Sequence, residues 1–284
     1  MSQIKLTECP RDAMQGLHNF VPTDVKAHYI NLLLKCGFDT IDFGSFVSPK
    51  AIPQMQDAAA VLDKLNMANT QSKLLAIIAN YRGAEEAAQH GAITYLGFPF
   101  SISETFQVRN TNSTIQASFD LVKQMQTLCS QKNKTLLVYL SMGFGNPYGD
   151  PWDAELVLSW AEKLISEGIK DISLADTIGM ATPEQINKLY PLLTSAFPGI
   201  NFGIHLHSTP DTWREKIDAA YQSNCTHFDT TVKGYGGCPM AKDELTGNIA
   251  TENVLAYLKE KGADTGVNME AFNEAVIYSG RIFV

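Results

Sequence analysis

The sequence predicts an α/β protein, a (β/α)8 TIM barrel in a single domain with an extra C-terminal helix. Three observations carry this. Eight short apolar runs alternate with longer amphipathic stretches. The runs do not alternate strictly between apolar and polar, as suits parallel strands buried on both faces. The length, 284 residues, is close to that of one such barrel.

The apolar runs cover residues 4–9, 40–43, 73–79, 93–98, 135–142, 171–175, 201–207 and 227–232, rich in Ile, Leu, Val and Thr. Between them lie helices with readable ends. Thr23 can cap a helix that runs to Lys35 and stops at Gly37. Asp153 opens a helix with Leu156, Trp160, Leu164 and Ile165 on its apolar face, and Gly168 ends it. Thr182-Pro183-Glu184-Gln185 reads as a capping box with proline at the first helical position. Pro191 is expected to kink or shorten that helix. Helices also fit residues 211–222 and 252–261, and residues 269–282 form the extra helix. A doubly wound open sheet is the alternative. Its glycine fingerprint is missing after the first strand, where Cys9-Pro10-Arg11-Asp12 stands.

Composition excludes several classes. A net charge of −8 argues against a nucleic-acid binder, which needs clustered Lys and Arg. Five cysteines, none in a C-x-x-C pair, argue against a disulfide framework or structural zinc and fit reduced thiols in the cytoplasm. No apolar run approaches the ~20 residues of a membrane helix, and no signal-peptide pattern opens the chain. The expectation is a soluble cytoplasmic protein with no membrane partner, and a homo-oligomer is possible.

Active sites of such barrels lie at the C-terminal ends of the strands. Unusual polar residues collect there: Arg11 and Asp12, Asp42 with Ser45, Ser48 and Lys50, Asp176 and Thr177, His205 and His207, Cys238, then Asn248. Histidines two apart on a strand point the same way, so His205 and His207 can share one ion. The alternative is a hydrogen-bonded core histidine. H-x-H also marks metal-dependent hydrolase barrels, but there on the first strand. Asp12 is a natural oxygen ligand from the same barrel end, or else an ion-pair partner. Mixed nitrogen and oxygen ligation suits Mg2+ or Mn2+, though imidazole also suits zinc and iron. Arg11 can hold a carboxylate or a developing enolate oxygen, or form a structural salt bridge. Cys238, in a glycine-rich loop, can transfer protons or act as a nucleophile.

Taken together, Pro10-Arg11-Asp12, Ser45-Phe46-Val47-Ser48-Pro49-Lys50, Ser103-Glu104-Thr105-Phe106, Asp176-Thr177-Ile178-Gly179, His205-Leu206-His207, Gly236-Gly237-Cys238-Pro239 and Gly247-Asn248-Ile249-Ala250-Thr251-Glu252 resemble the 3-hydroxy-3-methylglutaryl-CoA lyases over nearly the whole chain. The resemblance implies Asp12, His205, His207 and Asn248 as ligands of Mg2+ or Mn2+. It implies Arg11 at the enolate, Cys238 in proton transfer, Asp176 and Thr177 in the acyl pocket, and Glu252 supporting the site. Ser45, Ser48 and Lys50 would lie near the acyl-CoA entrance. The implied reaction yields acetyl-CoA and acetoacetate, in leucine breakdown.

The chain departs from the family pattern in four places. Asp42 stands for a glutamate, Ser208 for the aspartate after the histidine pair, and Ala13 for a glycine. The stretch from Cys238 to Asn248 is one residue longer and carries Asp243 and Glu244. Two other readings stay open: a related lyase or aldolase acting on a different 3-hydroxyacyl-CoA or 2-keto acid, and a catalytically silent acyl-CoA-binding homologue.

Overall fold

In the computed structural model, which describes residues 3–237 and 246–283, each apolar run becomes a strand followed by helical cover. In chain order these are β1 (Lys5–Glu8), α1 (Pro10–Gln15), α2 (Thr23–Leu34), β2 (Thr40–Ser45), α3 (Ala58–Leu62), β3 (Lys73–Ile77), α4 (Tyr81–Ala88) and β4 (Ile93–Ser101). Then come α5 (Glu104–Thr111), α6 (Ile115–Gln131), β5 (Thr135–Ser141), α7 (Ala154–Ser166), β6 (Asp171–Ala175), α8 (Pro183–Ala196), β7 (Asn201–His205) and β8 (His207–Ser208). The chain continues with α9 (Trp213–Gln222), β9 (His227–Thr230), β10 (Gly247–Asn248), α10 (Thr251–Glu260) and α11 (Met269–Ser279).

Strands β1 to β7 and β9 form one closed barrel, in sequence order and parallel throughout. Every residue of β2 is buried, the burial expected of a strand with helices outside and side chains inside. Helix α6 shows how the cover works: Ile115, Phe119, Val122 and Met125 recur at helical spacing and are buried. The last helix, α11, lies against α2, with Phe272 edge-on to Phe38 at 6.0 Å between ring centroids. Among the described residues no helix is long and apolar enough to cross a membrane.

Several expected helix ends hold. Asp153 accepts from Leu156 N, the Thr182–Gln185 capping box forms, and Gly37 and Gly168 take the left-handed φ that stops a helix. Others differ. Thr23 is already helical, so it does not cap α2, and its hydroxyl instead donates to Asp57 at 2.7 Å. Pro191 does not shorten α8, which runs on to Ala196. Arg11 and Asp12 lie in the short helix α1, because Pro10 starts a helical turn directly after β1. The seventh run is not one strand either: Leu206 separates β7 from β8, and β8 pairs antiparallel with β10 outside the barrel sheet.

Closure of the barrel relies on a buried carboxyl. Glu8 is fully buried at the end of β1. Its Oε1 accepts from Val232 N at 2.8 Å, and its Oε2 lies 2.5 Å from Thr251 Oγ1, which is 2.9 Å from Thr230 Oγ1. One side chain thus joins β1 to β9 and α10. Burial raises its pKa from 4.5 to about 8, although the bonds from Thr251 and Val232 oppose the rise. The folded protein therefore holds a proton that the unfolded chain releases between those two values. Stability contributed by this proton is complete below 4.5 and declines as pH rises to about 8. Urea denaturation across that window should show a shallower decline for Glu8→Gln than for wild type. Identical slopes would contradict the assignment.

Candidate metal centre and active site

The C-terminal end of the barrel opens into a cavity of about 180 Å3. Arg11, Asp12, His205, His207, Thr177 and Tyr139 line its polar side, while Val47, Ile52, Ile77, Ala79, Pro99 and Phe106 line its apolar side. Such a division suits a ligand with one reactive polar end and an aliphatic body.

Both imidazoles reach the polar side, though from different elements. His205 ends β7, and its Nδ1 lies 3.1 Å from Asp229 Oδ2 on the neighbouring strand β9, where the two residues are in register. His207 lies in β8, and its Nδ1 is 3.0 Å from Thr177 O. With both Nδ1 atoms engaged by oxygen acceptors, each ring carries its hydrogen there and turns Nε2 inward. The two Nε2 atoms face each other at 3.2 Å. Asp12 completes the group, with one ligand atom from each residue within 4.8 Å of the others. Asn248 joins from β10, paired with His207 across the two-stranded sheet. Its amide nitrogen donates to Asp12 Oδ2 at 2.6 Å and to Tyr235 O at 3.1 Å, which leaves its carbonyl oxygen as the atom it can offer a cation.

Electrostatics suit this set to a cation. Burial alone would raise the Asp12 pKa, but Arg11 and the two imidazoles outweigh it, so the carboxylate stays charged. Burial and the neighbouring His205 lower His207 to about 4, so its ring is neutral and ready as a ligand. Burial works against a charge on His205 too, but its hydrogen bond to the Asp229 carboxylate reverses the direction and raises its pKa. Two nitrogen lone pairs 3.2 Å apart need a proton or a cation between them. The hydroxyl of Tyr139 is buried on the same cavity wall without a protein partner among the described residues, and its ring is edge-on to His205. A buried polar atom left open in a cavity is what a bound ligand or water satisfies. The residues therefore fit one divalent cation with open positions.

Cys9, His205 and Asp229 form a second close group. Burial pushes the Cys9 thiol well up, and Asp229 is engaged by His205, so this group supports the imidazole from behind rather than offering a second ion site.

Arg11 is held from three sides. Its Nε and one terminal nitrogen donate to Asp42 at 3.0 and 2.5 Å, and the other terminal nitrogen donates to Asp12 and Gln15 at 2.9 Å each. Gln15 in turn donates to Asp12 at 2.8 Å. Burial raises Asp42 to about 6, limited by Arg11, so the pair is charged at neutral pH. Asp42 therefore reaches Arg11 rather than the centre of the three cation donors.

The other expected residues divide. Thr177 lines the cavity, and its hydroxyl accepts from Met142 N at 2.9 Å. The Asp176 carboxylate turns the other way, into a buried pair with Lys216 at 2.9 Å. Ser45 is buried at the end of β2, its hydroxyl unpartnered among the described residues, Ser48 Oγ accepts from Lys50 N, and Lys50 is exposed; Val47 and Ala51 of this segment reach the cavity. Glu252 accepts from Lys233 N at 2.9 Å and so steadies the turn that leads to Gly236. Gly236 has φ +95, and a Cβ there would meet Asp12 O and Asn248 Nδ2 at 2.8 Å. Only glycine lets the backbone pass the ligand pair so closely. Cys238 lies outside the described residues. Sequence reasoning missed Asp229, Gln15, Tyr139 and Lys216. A carboxylate inside the apolar run 227–232 was the one available signal.

Comparison with known proteins agrees with this geometry. The HMGL-like family model matches residues 4–276. The hydroxymethylglutaryl-CoA lyase YngG of Bacillus subtilis is 34% identical over 92% of this chain and 86% of its own. The mitochondrial hydroxymethylglutaryl-CoA lyase of Mus musculus is 34% identical over 96% and 83%. Among solved structures, an HMG-CoA lyase from Acinetobacter baumannii, in complex with coenzyme A and 3-methylmalate, superposes with a TM-score of 0.92 at 30% identity, covering 99% of this chain and 91% of that one. The carboxyl transferase domain of Rhizobium etli pyruvate carboxylase shares the fold at 14% identity and a TM-score of 0.70. With a family model spanning almost its whole length and relatives one-third identical along it, the chain belongs to the HMGL-like family.

Proposed function

We propose that this protein is a divalent-cation-dependent carbon–carbon lyase that cleaves 3-hydroxy-3-methylglutaryl-CoA to acetyl-CoA and acetoacetate. The observation that carries this reading is the convergence of Asp12, His205 and His207 beside Arg11 in a cavity lined by both polar and apolar side chains. The relatives at 34% identity are lyases of this substrate, and one solved relative holds coenzyme A. That supports an acyl-CoA substrate over a 2-keto acid, and turnover over silent binding. The four cysteines among the described residues are free, which with the bacterial relative supports a cytoplasmic setting, and the family resemblance supports a role in leucine breakdown.

Asp12, His205, His207 and Asn248 would hold the cation, and their nitrogen and oxygen donors suit Mg2+ or Mn2+. Bound there, the cation would act as a Lewis acid that makes the 3-hydroxyl easier to deprotonate. The remaining work falls to the chain. The hydroxyl proton passes to water in the open cavity, the C3 oxygen becomes the ketone of acetoacetate as the C2–C3 bond breaks, and the electrons of that bond pass to the thioester as an enolate. Arg11, rigid in the grip of Asp42 and Gln15, donates to that oxygen as charge develops. Cys238 delivers a proton to the enolate carbon, completing acetyl-CoA. Asp42 and Glu252 act as positioning residues, Asp42 through Arg11 and Glu252 through the turn at Lys233. Thr177 contacts the acyl group, and the segment of Ser45, Ser48 and Lys50 faces the entrance.

The direct test is acetoacetate release from 3-hydroxy-3-methylglutaryl-CoA with added Mg2+ or Mn2+. Turnover that chelator removes and cation restores is expected; its absence, with turnover of another 3-hydroxyacyl-CoA, would replace the named substrate. His207→Ala should abolish cation-dependent activity. Arg11→Met should lower kcat by about 100- to 1,000-fold with little change in KM, because its contact belongs to the transition state. A change confined to KM would contradict that role. Asp229→Ala should weaken Mn2+ binding by about 10- to 100-fold, measured by titration calorimetry, because His205 loses the acceptor that fixes its tautomer.

A further inference from the structure

We infer that Lys216, a buried residue on the outer helix α9, is a positioning residue for His207. Its ammonium donates to three oxygens: Asp176 Oδ2 at 2.9 Å, Gly179 O at 2.9 Å and His207 O at 2.7 Å. All three N–H donors are thus used inside the protein, where a lone charge would not persist. Three separate segments meet at one atom: the end of β6, the loop after it, and β8.

These contacts close a ring around His207. Lys216 holds the His207 backbone through its carbonyl. It also holds Asp176, whose other carboxylate oxygen accepts from Ala181 N at 3.0 Å. The residue after Asp176 is Thr177, and its carbonyl receives the His207 Nδ1 hydrogen. Backbone position and ring tautomer of His207 are therefore anchored to the same ammonium. The influence reaches Asn248 as well, because β10 is in register with β8 through the pair Asn248 and His207. Gly179 extends it once more: its backbone packs on Thr246, directly before β10, so closely that a Cβ would lie 2.6 Å from the Thr246 methyl. β8 and β10 form a two-residue pairing outside the barrel sheet; β10 has ties of its own, from Asn248 to Asp12 and from Thr231 N to Ile249 O, so the hold of Lys216 falls mainly on β8 and His207.

This inference rests on the cation reading given above, and its test is built to separate the two. Mn2+ binding to the full-length protein is measured by the EPR signal of free Mn2+, with no substrate present. Lys216→Met should weaken binding by about 10- to 100-fold, the usual loss when the support of a ligand is removed. Lys26→Met serves as the control. Lys26 is also buried and paired, with Asp57 at 2.7 Å, but it does not line the cavity. It should lower the melting temperature while keeping Mn2+ affinity within about twofold of wild type, as sites without shared partners do. Because Lys216→Met leaves the Asp176 charge buried and alone, the double variant Lys216→Met with Asp176→Asn removes both charges and protects folding. It should still bind Mn2+ about tenfold more weakly or worse, since methionine cannot donate to His207 O. Wild-type affinity in the folded double variant would overturn the role of Lys216. A wild-type protein that binds no Mn2+ would instead contradict the cation reading itself.

Discussion

Two imidazoles share one cation only when each is held by its other nitrogen, and the site depends on that constraint being met twice. Asp229 on β9 holds His205, and the Thr177 carbonyl after β6 holds His207. Both holders come from the strands on either side of β7, so each ring is aimed only when its neighbouring strand has paired. Closure in turn brings β9 between β7 and β1, which sets Asp229 opposite His205 and brings Asp12 to the same side. Fold and site are therefore one construction, with the buried Glu8 carboxyl at the seam.

The second feature is the buried pair of Arg11 and Asp42. A buried ion pair is poor evidence of stability, since desolvation offsets much of the attraction. Its use here is rigidity. With Asp42, Asp12 and Gln15 around it, the guanidinium has little freedom to reorient, and donors that do not reorganise stabilise developing charge best. Aspartate at position 42 is long enough for this task, because α1 brings Arg11 directly over β2.

Much of this was legible in the sequence, and the reasons differ by residue. The eight strands were readable because burial on both faces leaves a continuous apolar run. Arg11, Asp12, His205 and His207 stood out as polar residues where such runs stop. The spacing of the histidines led to the right outcome by a different route: they converge although Leu206 breaks the strand between them. Asp176 looked like a pocket residue because it ends β6, yet its side chain turns to a lysine 40 residues later. Nothing in the pattern of α9 marks Lys216 as buried, for a lysine on an amphipathic helix normally faces water. Asp229 needed the register of two strands, which a single sequence does not state. Thr23 misled because its hydroxyl satisfies Asp57, a tertiary partner, instead of the helix end.

The measurement that bears most directly on the account is anomalous diffraction from crystals grown with Mn2+. A single strong peak within ligand distance of His205 Nε2, His207 Nε2 and the Asp12 carboxylate is the expected result. A peak elsewhere in the molecule, or none at these three residues under saturating Mn2+, would contradict it.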